Sequence, residues 1–452
     1  MGRIFGTDGV RGIANRDLTP ELAFRLARAG AAVVAGKPDR RRPLVVGRDT
    51  RLSGTMLEAA VVAGVTSTGH DTLSLGVVPT PTVACVTVAT GAAAGIMISA
   101  SHNPIEDNGI KFFGPDGFKL TDAQESAIER ALDDDAGIAR ATHAEVGIAR
   151  SAHDLVEHYL ASIVRGGADL SSLTVVVDAA FGAAYLVGPQ ALARLGATVE
   201  PLNARDDGAR INVGCGSTDL SGVRDRVLEL AAQRPNAHVL GVAFDGDADR
   251  ALFVDETGAT IDGDRMMLIL ARDKKRAGTL RGDTVVGTVM SNIGLERALR
   301  AEGIALARAA VGDRYVLEAM LAGAFGFGGE QSGHIIDLDR NTTGDGPGTA
   351  VALLSVVARE RTTLHDLAAA LVVAPQILVN VRTRNKQVLD DGAVRAAVER
   401  VERELGNSGR ILVRPSGTEP LIRVMIEGDD PARIDRLANE VAEIVRTAAQ
   451  IL

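Results

Sequence analysis

Cysteine is scarce in this chain: Cys85 and Cys215 are the only two. Neither stands in a motif, so both read as buried or idle thiols, and a disulfide framework or a cysteine-based metal site is disfavoured. An excess of positive charge is also lacking. The 452 residues carry 49 Lys and Arg against 58 Asp and Glu, a formal net charge of -9. This argues against a nucleic-acid partner, since a phosphate backbone is held by clustered Lys and Arg. It leaves room for a local arginine cluster around a small phosphorylated ligand. No apolar run approaches the ~20 residues that a membrane-spanning helix requires. The first residues, Met1-Gly2-Arg3-Ile4-Phe5-Gly6-Thr7-Asp8, hold no apolar secretory core. A cytoplasmic protein without a membrane partner is therefore expected.

Apolar residues make up 46% of the chain and charged residues 24%, the balance of a folded globular protein. The length suggests about three or four domains. One order recurs three times. Leu44–Asp49 reads as a strand, followed by a helix over about 53–67 and a strand over 72–77. Thr174–Asp178 leads to a helix over about 184–195 and a strand over 198–202. Thr284–Thr288 leads to a helix over about 292–301 and a strand over 304–309. Each is a strand-helix-strand unit, the signature of a parallel sheet.

Some distance after each unit, another strand ends in a polar loop. Ile96–Ile98 runs into Ser99-Ala100-Ser101-His102-Asn103-Pro104, and Val239–Phe244 into Asp245-Gly246-Asp247-Ala248-Asp249-Arg250. Ala324–Phe327 runs into Gly328-Gly329-Glu330-Gln331-Ser332-Gly333-His334. Ligands of open α/β sheets bind beyond the carboxyl ends of strands, so the three loops are expected to converge on one cleft. The remainder reads as a compact α+β unit: a strand over 377–382, a helix over 392–405, strands over 410–413 and 421–426, and a helix over 431–449. The expected fold is α/β: three related domains with mixed, mainly parallel sheets and a smaller C-terminal α+β domain, divided as 1–160, 161–263, 264–373 and 374–452. Linkers are expected near 154–167, 262–265 and 371–376.

The loops carry distinct chemistries. Asp245, Asp247 and Asp249 alternate, so an extended segment puts them on one side. Three such carboxylates repel unless a cation sits among them, and hard oxygen ligands suit Mg2+. An EF-hand fits poorly, because Arg250 stands where that loop needs glycine. An aspartyl-phosphate enzyme with Asp245 as nucleophile remains open on local spacing. Arg414-Pro415-Ser416-Gly417-Thr418 with Arg423 supplies hydroxyls, turn amides and guanidinium forks suited to phosphate. Glu330 and Ser332, between glycines, suit sugar hydroxyls. Ser101 lacks the Gly-x-Ser-x-Gly setting of a hydrolase nucleophile, which leaves a metal-assisted phosphoserine. His102 and Lys111 are nearby in sequence as donors or proton carriers, and Arg11 follows the glycine-rich Gly6-Thr7-Asp8-Gly9 turn.

Together, Gly6-Thr7-Asp8-Gly9, Ala100-Ser101-His102-Asn103-Pro104, Asp245–Arg250, Gly329–His334 and Arg414–Pro420 stand in the order of the α-D-phosphohexomutase superfamily, which the whole chain resembles. Gln331, Ala248 and Thr342-Thr343-Gly344-Asp345-Gly346 resemble the branch that interconverts glucosamine 6-phosphate and glucosamine 1-phosphate, on the route to UDP-N-acetylglucosamine and cell-wall synthesis. The alternative is a glucose or mannose phosphate mutase of the same superfamily. The resemblance implies a phosphoserine at Ser101, which with Asp245, Asp247 and Asp249 holds Mg2+. It implies Arg11, His102 and Lys111 around the reacting centre, with Lys111 as proton shuttle. Arg250, Glu330, Ser332, His334, Arg414, Ser416, Gly417, Thr418 and Arg423 would then bind substrate. Glucosamine 1,6-bisphosphate or glucose 1,6-bisphosphate would prime the enzyme, a phosphorylated sugar would be its partner, and a homodimer is compatible with it. The chain departs from the family at Asp178-Ala179-Ala180-Phe181-Gly182, where Asp-x-Ala-Asn-Gly is usual, and at Pro347, which suits a helix start.

Overall fold

The apolar run Ala94–Ile98 is buried at every position, as a strand covered on both faces must be. It lies inside the first sheet of the computed structural model, which describes residues 4–6, 8–416 and 420–451. That sheet contains β1 (Val10–Ile13), β2 (Leu44–Arg48), β3 (Thr72–Val77), β4 (Ala94–Ile98), β5 (Asp107–Phe113) and β6 (Ala149–Ser151), ordered β1-β5-β4-β2-β3-β6. β2 runs parallel to β3 and β4, whereas β5 is antiparallel to β4.

The second sheet contains β7 (Leu173–Asp178), β8 (Thr198–Leu202), β9 (His238–Phe244), β10 (Ala251–Val254) and β11 (Thr260–Ile261), ordered β11-β10-β9-β7-β8. The third contains β12 (Thr284–Thr288), β13 (Ala305–Ala309), β14 (Phe327–Gly329) and β15 (Ile335–Asp337), ordered β13-β12-β14-β15. One arrangement is used three times: β5-β4-β2-β3, then β10-β9-β7-β8, then β15-β14-β12-β13. In each, a strand parallel to the first of its unit is followed by an antiparallel partner. The polar loop sits between those two strands every time, so the sequence repeat is a repeat of topology.

A fourth, wholly antiparallel sheet contains β16 (Gln376–Arg382), β17 (Gly409–Pro415) and β18 (Leu421–Gly428), ordered β16-β18-β17. The helices Gly392–Leu405 and Pro431–Ile451 cover it, and Val394, Val401, Leu405, Leu437, Val441 and Val445 pack with Ile422, Val424 and Ile426. Asp391 starts the first of these helices by accepting from the backbone amides of Ala393 and Val394, the usual satisfaction of orphan helix donors.

By packing the chain divides into two compact units: Met1–Thr288 with Ala307–Ala369, and Val289–Leu306 with Ala370–Leu452. The first unit holds the three polar loops. In the second, the helix Ile293–Ala301 joins the fourth sheet. Fully buried Glu427 accepts from the Ile293 amide at 3.1 Å and from Arg410 Nε at 2.6 Å.

Several expected elements shift. The helix placed at 184–195 begins at Val187, because Ala180 and Phe181 hold φ of 53° and 52° and turn the chain first. The third loop's strand starts at Phe327, not Ala324, since Ala324 has φ 53°. Two expected linkers are helical. Val156–Val164 is a helix burying Tyr159, Leu160 and Ile163, and Asp262 caps the helix Gly263–Arg276. Pro347 stands in the first turn of the helix Gly346–Glu360, with Asp345 accepting from the Gly348 amide. No described helix is long and apolar enough to cross a membrane.

Candidate active site

Ser101 follows β4 in a left-handed backbone conformation, φ 54°, which a side chain adopts only when its surroundings impose it. The surroundings are a buried brace. Arg51 donates to the carbonyls of Ser101, Asn103, Pro104 and Asp107 at 2.9, 2.8, 2.5 and 2.9 Å. Its Nε pairs with Asp49 at 3.0 Å, both side chains fully buried. Asp49 also accepts from Ser99 Oγ at 2.6 Å, and Ser99 Oγ accepts from the Ser101 amide at 2.9 Å. A buried ion pair is tolerated when its remaining hydrogen-bonding groups are satisfied, and here the satisfaction fixes the serine loop.

The loop after β9 meets this serine. Ser101 Oγ donates to Asp245 Oδ2 at 2.6 Å and lies 3.2 Å from Nδ1 of exposed His102. Gly246 permits the approach: a Cβ there would stand 2.5 Å from the Ser101 carbonyl oxygen. Asn212 Nδ2 donates to the same oxygen at 3.0 Å.

Asp245, Asp247 and Asp249 are buried, with ligand atoms all within 4.8 Å of one another. Burial, then the charges of Asp249 and Asp247, push the Asp245 carboxyl well above its ordinary range. Burial acts likewise on Asp249, but His334, Lys111 and Arg250 hold it low. Asp247 Oδ1 and Asp249 Oδ1 are buried without a hydrogen-bond partner. Three crowded carboxylates with orphaned oxygens are a donor set that fits a hard divalent cation such as Mg2+. Thr80 Oγ1 donates to Asp247 Oδ2 at 2.6 Å and fixes that carboxylate.

Positive groups surround the carboxylates. Lys111 on β5 pairs with Asp247 at 2.8 Å and Asp8 at 2.9 Å. Arg11 on β1 donates to Asp8 at 2.5 Å and to Asn103 Oδ1 at 3.0 Å. The Arg250 amide donates to Asp245 Oδ1 at 3.2 Å. From the third loop, His334 Nδ1 lies 3.6 Å from Asp249 and its Nε2 lies 3.7 Å from Asp313. Burial disfavours charge on His334, yet Asp249 and Asp313 raise it overall. Glu330 accepts from the Gly312 amide at 3.0 Å, and Ser332 beside it is half-buried.

In the second unit Arg414 and Arg423 are directly opposed on β17 and β18. Burial and then Arg423 lower the Arg414 guanidinium. Like charges set opposite one another repel, and an anion relieves that repulsion. Buried Ser416 donates its amide to the Leu421 carbonyl at 2.8 Å. Gly417 and Thr418 lie outside the described residues.

The first unit thus brings together Arg11, Ser101, His102, Lys111, the three aspartates, Arg250 and His334. Sequence reasoning missed Asp8 as a partner of Lys111 and Arg11, the Asp49–Arg51–Ser99 brace, Thr80, Lys119, Asn212 and Asp313. The Arg48-Asp49-Thr50-Arg51 turn at the end of β2 carried a usable signal, a dense run of charge directly after a buried strand.

Models of the phosphoglucomutase/phosphomannomutase family match in order: alpha/beta/alpha domain I over residues 2–137, domain II over 157–258, domain III over 262–374 and the C-terminal domain over 378–444. The chain belongs to the phosphoglucomutase/phosphomannomutase family. A family relative named phosphoglucosamine mutase, from Symbiobacterium thermophilum, is 52% identical over 455 residues, covering 100% of both chains. Another of that name, from Desulforamulus reducens, is 50% identical over 98% of this chain and 99% of its own. Among solved structures, a phosphoglucomutase/phosphomannomutase family protein from Burkholderia thailandensis superposes with a TM-score of 0.84 at 25% identity, covering 99% of this chain and 97% of that one. The family's fold accounts for the threefold repeat of sheet order and for the smaller fourth domain.

Proposed function

We propose that this phosphosugar mutase interconverts glucosamine 6-phosphate and glucosamine 1-phosphate through a phosphoryl group carried on Ser101. The observation that carries the reading is the meeting of Ser101 Oγ with Asp245 at 2.6 Å beside two further buried carboxylates. The full-length relatives named phosphoglucosamine mutase support the choice of sugar. Asp245, Asp247, Asp249 and the Ser101 phosphoryl group would hold Mg2+, whose charge would offset that of the moving phosphoryl group.

Phospho-Ser101 gives its phosphoryl group to the free hydroxyl of the sugar phosphate. The P–O bond to Ser101 breaks and the bond to the sugar oxygen forms; Lys111 gives a proton to Ser101 Oγ and takes up the one that the sugar hydroxyl loses, so its own charge is restored. Arg11 and His102 flank the transfer, and Arg250 and His334 line the same site. The 1,6-bisphosphate turns over and returns its other phosphate to Ser101. Glu330 and Ser332 read the sugar hydroxyls, while Arg414, Ser416, Gly417, Thr418 and Arg423 hold the phosphate that is not reacting. Glucosamine 1,6-bisphosphate or glucose 1,6-bisphosphate restores the phosphoserine when it is lost.

The same proposal assigns a phosphoserine-loop domain to 1–160, a metal-loop domain to 161–263, a sugar-loop domain to 264–373 and a phosphate-binding domain to 374–452. It places the enzyme in the cytoplasm and is compatible with a homodimer, a point that light scattering tests directly. A comparison of kcat/KM for glucosamine, glucose and mannose 1-phosphates tests the substrate. Preference for the amino sugar supports the reading, and preference for either hydroxy sugar contradicts it.

A further inference from the structure

A line of buried charge reaches the serine site from the third sheet's layer, and the reaction as written gives its outer members no role. The loop after β5 is anchored in that layer. Phe118 packs with Val286, Val316 and Met320, and Thr342 Oγ1 donates to the Gly117 carbonyl at 2.5 Å. The next residue, Lys119, is largely buried. Its Nζ donates to Asp8 Oδ1 at 2.5 Å and pairs with Asp313, the first residue of the helix Asp313–Ala322. The other oxygen of Asp8 holds Lys111 at 2.9 Å and Arg11 at 2.5 Å, and Lys111 continues to Asp247 at 2.8 Å. Charge therefore alternates along Asp313, Lys119, Asp8, Lys111 and Asp247.

We propose that Lys119, anchored by Asp313, is a positioning residue for phosphoryl transfer at Ser101: it occupies one oxygen of Asp8, so that the other oxygen sets the places of both Lys111 and Arg11. The inference rests on the mutase reading above. A carboxylate offers about four lone-pair sites on two oxygens. With Lys119 bound to Oδ1, Lys111 and Arg11 must share Oδ2. Without Lys119, the Asp8 carboxylate is free to rotate and take the two cations on separate oxygens, which moves both groups relative to Ser101. Misplacement of reacting groups by about 1 Å costs about 10²-fold in rate.

The competing explanation is that Lys119 and Asp313 merely tie two layers together as an ion pair. Kinetics of the folded enzyme separate the two: a mere tie between layers moves the thermal midpoint and leaves kcat unchanged. Steady-state kinetics and thermal midpoints are measured for the full chain with glucosamine 1-phosphate and a bisphosphate primer. Lys119→Met is expected to lower kcat by roughly 10²-fold with KM changed by less than about 3-fold. Lys119→Arg, which keeps the charge, is expected to recover most of that loss. Lys119→Gln is expected to lower kcat in the same direction and serves if Lys119→Met does not fold. Unchanged kcat in folded Lys119→Met or Lys119→Gln, or no recovery in Lys119→Arg, overturns the inference. Wild-type turnover and phospho-Ser101 are measured first: their absence refutes the mutase reading, whereas their presence with indifferent Lys119 variants refutes this inference alone.

Discussion

Gly246→Ala places one methyl group where the loop carrying the three aspartates meets the serine loop. The added Cβ would lie 2.5 Å from the Ser101 carbonyl oxygen, 2.8 Å from Asn212 Nδ2 and 3.0 Å from Ile211 Cδ1, whereas ordinary contact begins near 3.4 Å. The side chains can yield, but the carbonyl is held by Arg51 and Asn212. The two loops must therefore separate by about 0.9 Å, the difference between the 2.5 Å approach and 3.4 Å contact. Overpacking of this kind costs about 1–3 kcal/mol of stability. Separation of Ser101 from Asp245 by nearly 1 Å is expected to lower kcat about 10²-fold, or about 2.7 kcal/mol of barrier. A coupled mutase assay and a thermal melt of the same preparation measure both. Wild-type kcat with an unchanged melting temperature would refute the claim that this close approach aligns the reacting groups.

On the proposed assignment of Mg2+ to the folded carboxylate cluster, Mg2+ is expected to raise the melting temperature; 100 Kd of ligand stabilises by about 2.7 kcal/mol. The increment has a predictable sign with pH. Burial, Asp249 and Asp247 raise the folded Asp245 carboxyl above its unfolded value, so its contribution to metal-free stability falls as pH rises, while metal binding must displace its proton. The Mg2+ increment measured by calorimetry is therefore expected to grow as pH rises, and Asp245→Asn to flatten that dependence. Arg51→Met leaves Asp49 buried without its cation and frees four carbonyls of the serine loop; denaturant unfolding is expected to show a loss of about 3–5 kcal/mol. Glu427→Leu strands Arg410 and the amide of Ile293 within the second unit; a loss of about 3–5 kcal/mol is again expected, with faster amide exchange confined largely to the helix Ile293–Ala301.

What was legible in the sequence was local. Buried strands announced themselves as apolar runs, and the loops that close them announced themselves as small or acidic residues at fixed spacing. The three strand-helix-strand units and the position of Ser101, Asp245 and Glu330 follow from that pattern. Elements were misplaced where backbone conformation overrode composition. Ala180, Phe181 and Ala324 turn through positive φ without the glycine or asparagine that would signal it. The linker expected at 154–167 is instead the helix Val156–Val164, whose Tyr159, Leu160 and Ile163 have helical spacing on its buried face.

The site was half legible for a different reason. Lys111 stood close to Ser101 in sequence, but its carboxylate partners, Asp8 and Asp247, come from β1's approach and the second sheet. Arg51 braces a loop some fifty residues away. Such contacts are set by topology, which no single window of sequence contains.

The central claim is that Ser101 carries and returns the phosphoryl group. Protein labelled with radioactive phosphate, digested and mapped before and after mixing with unlabelled glucosamine 6-phosphate, tests it most directly. The label is predicted to sit on the Ser101 peptide, to resist hydroxylamine, and to pass to sugar bisphosphate and then product within one turnover. Label that stays on the protein through many turnovers, or that hydroxylamine releases from Asp245, would contradict it.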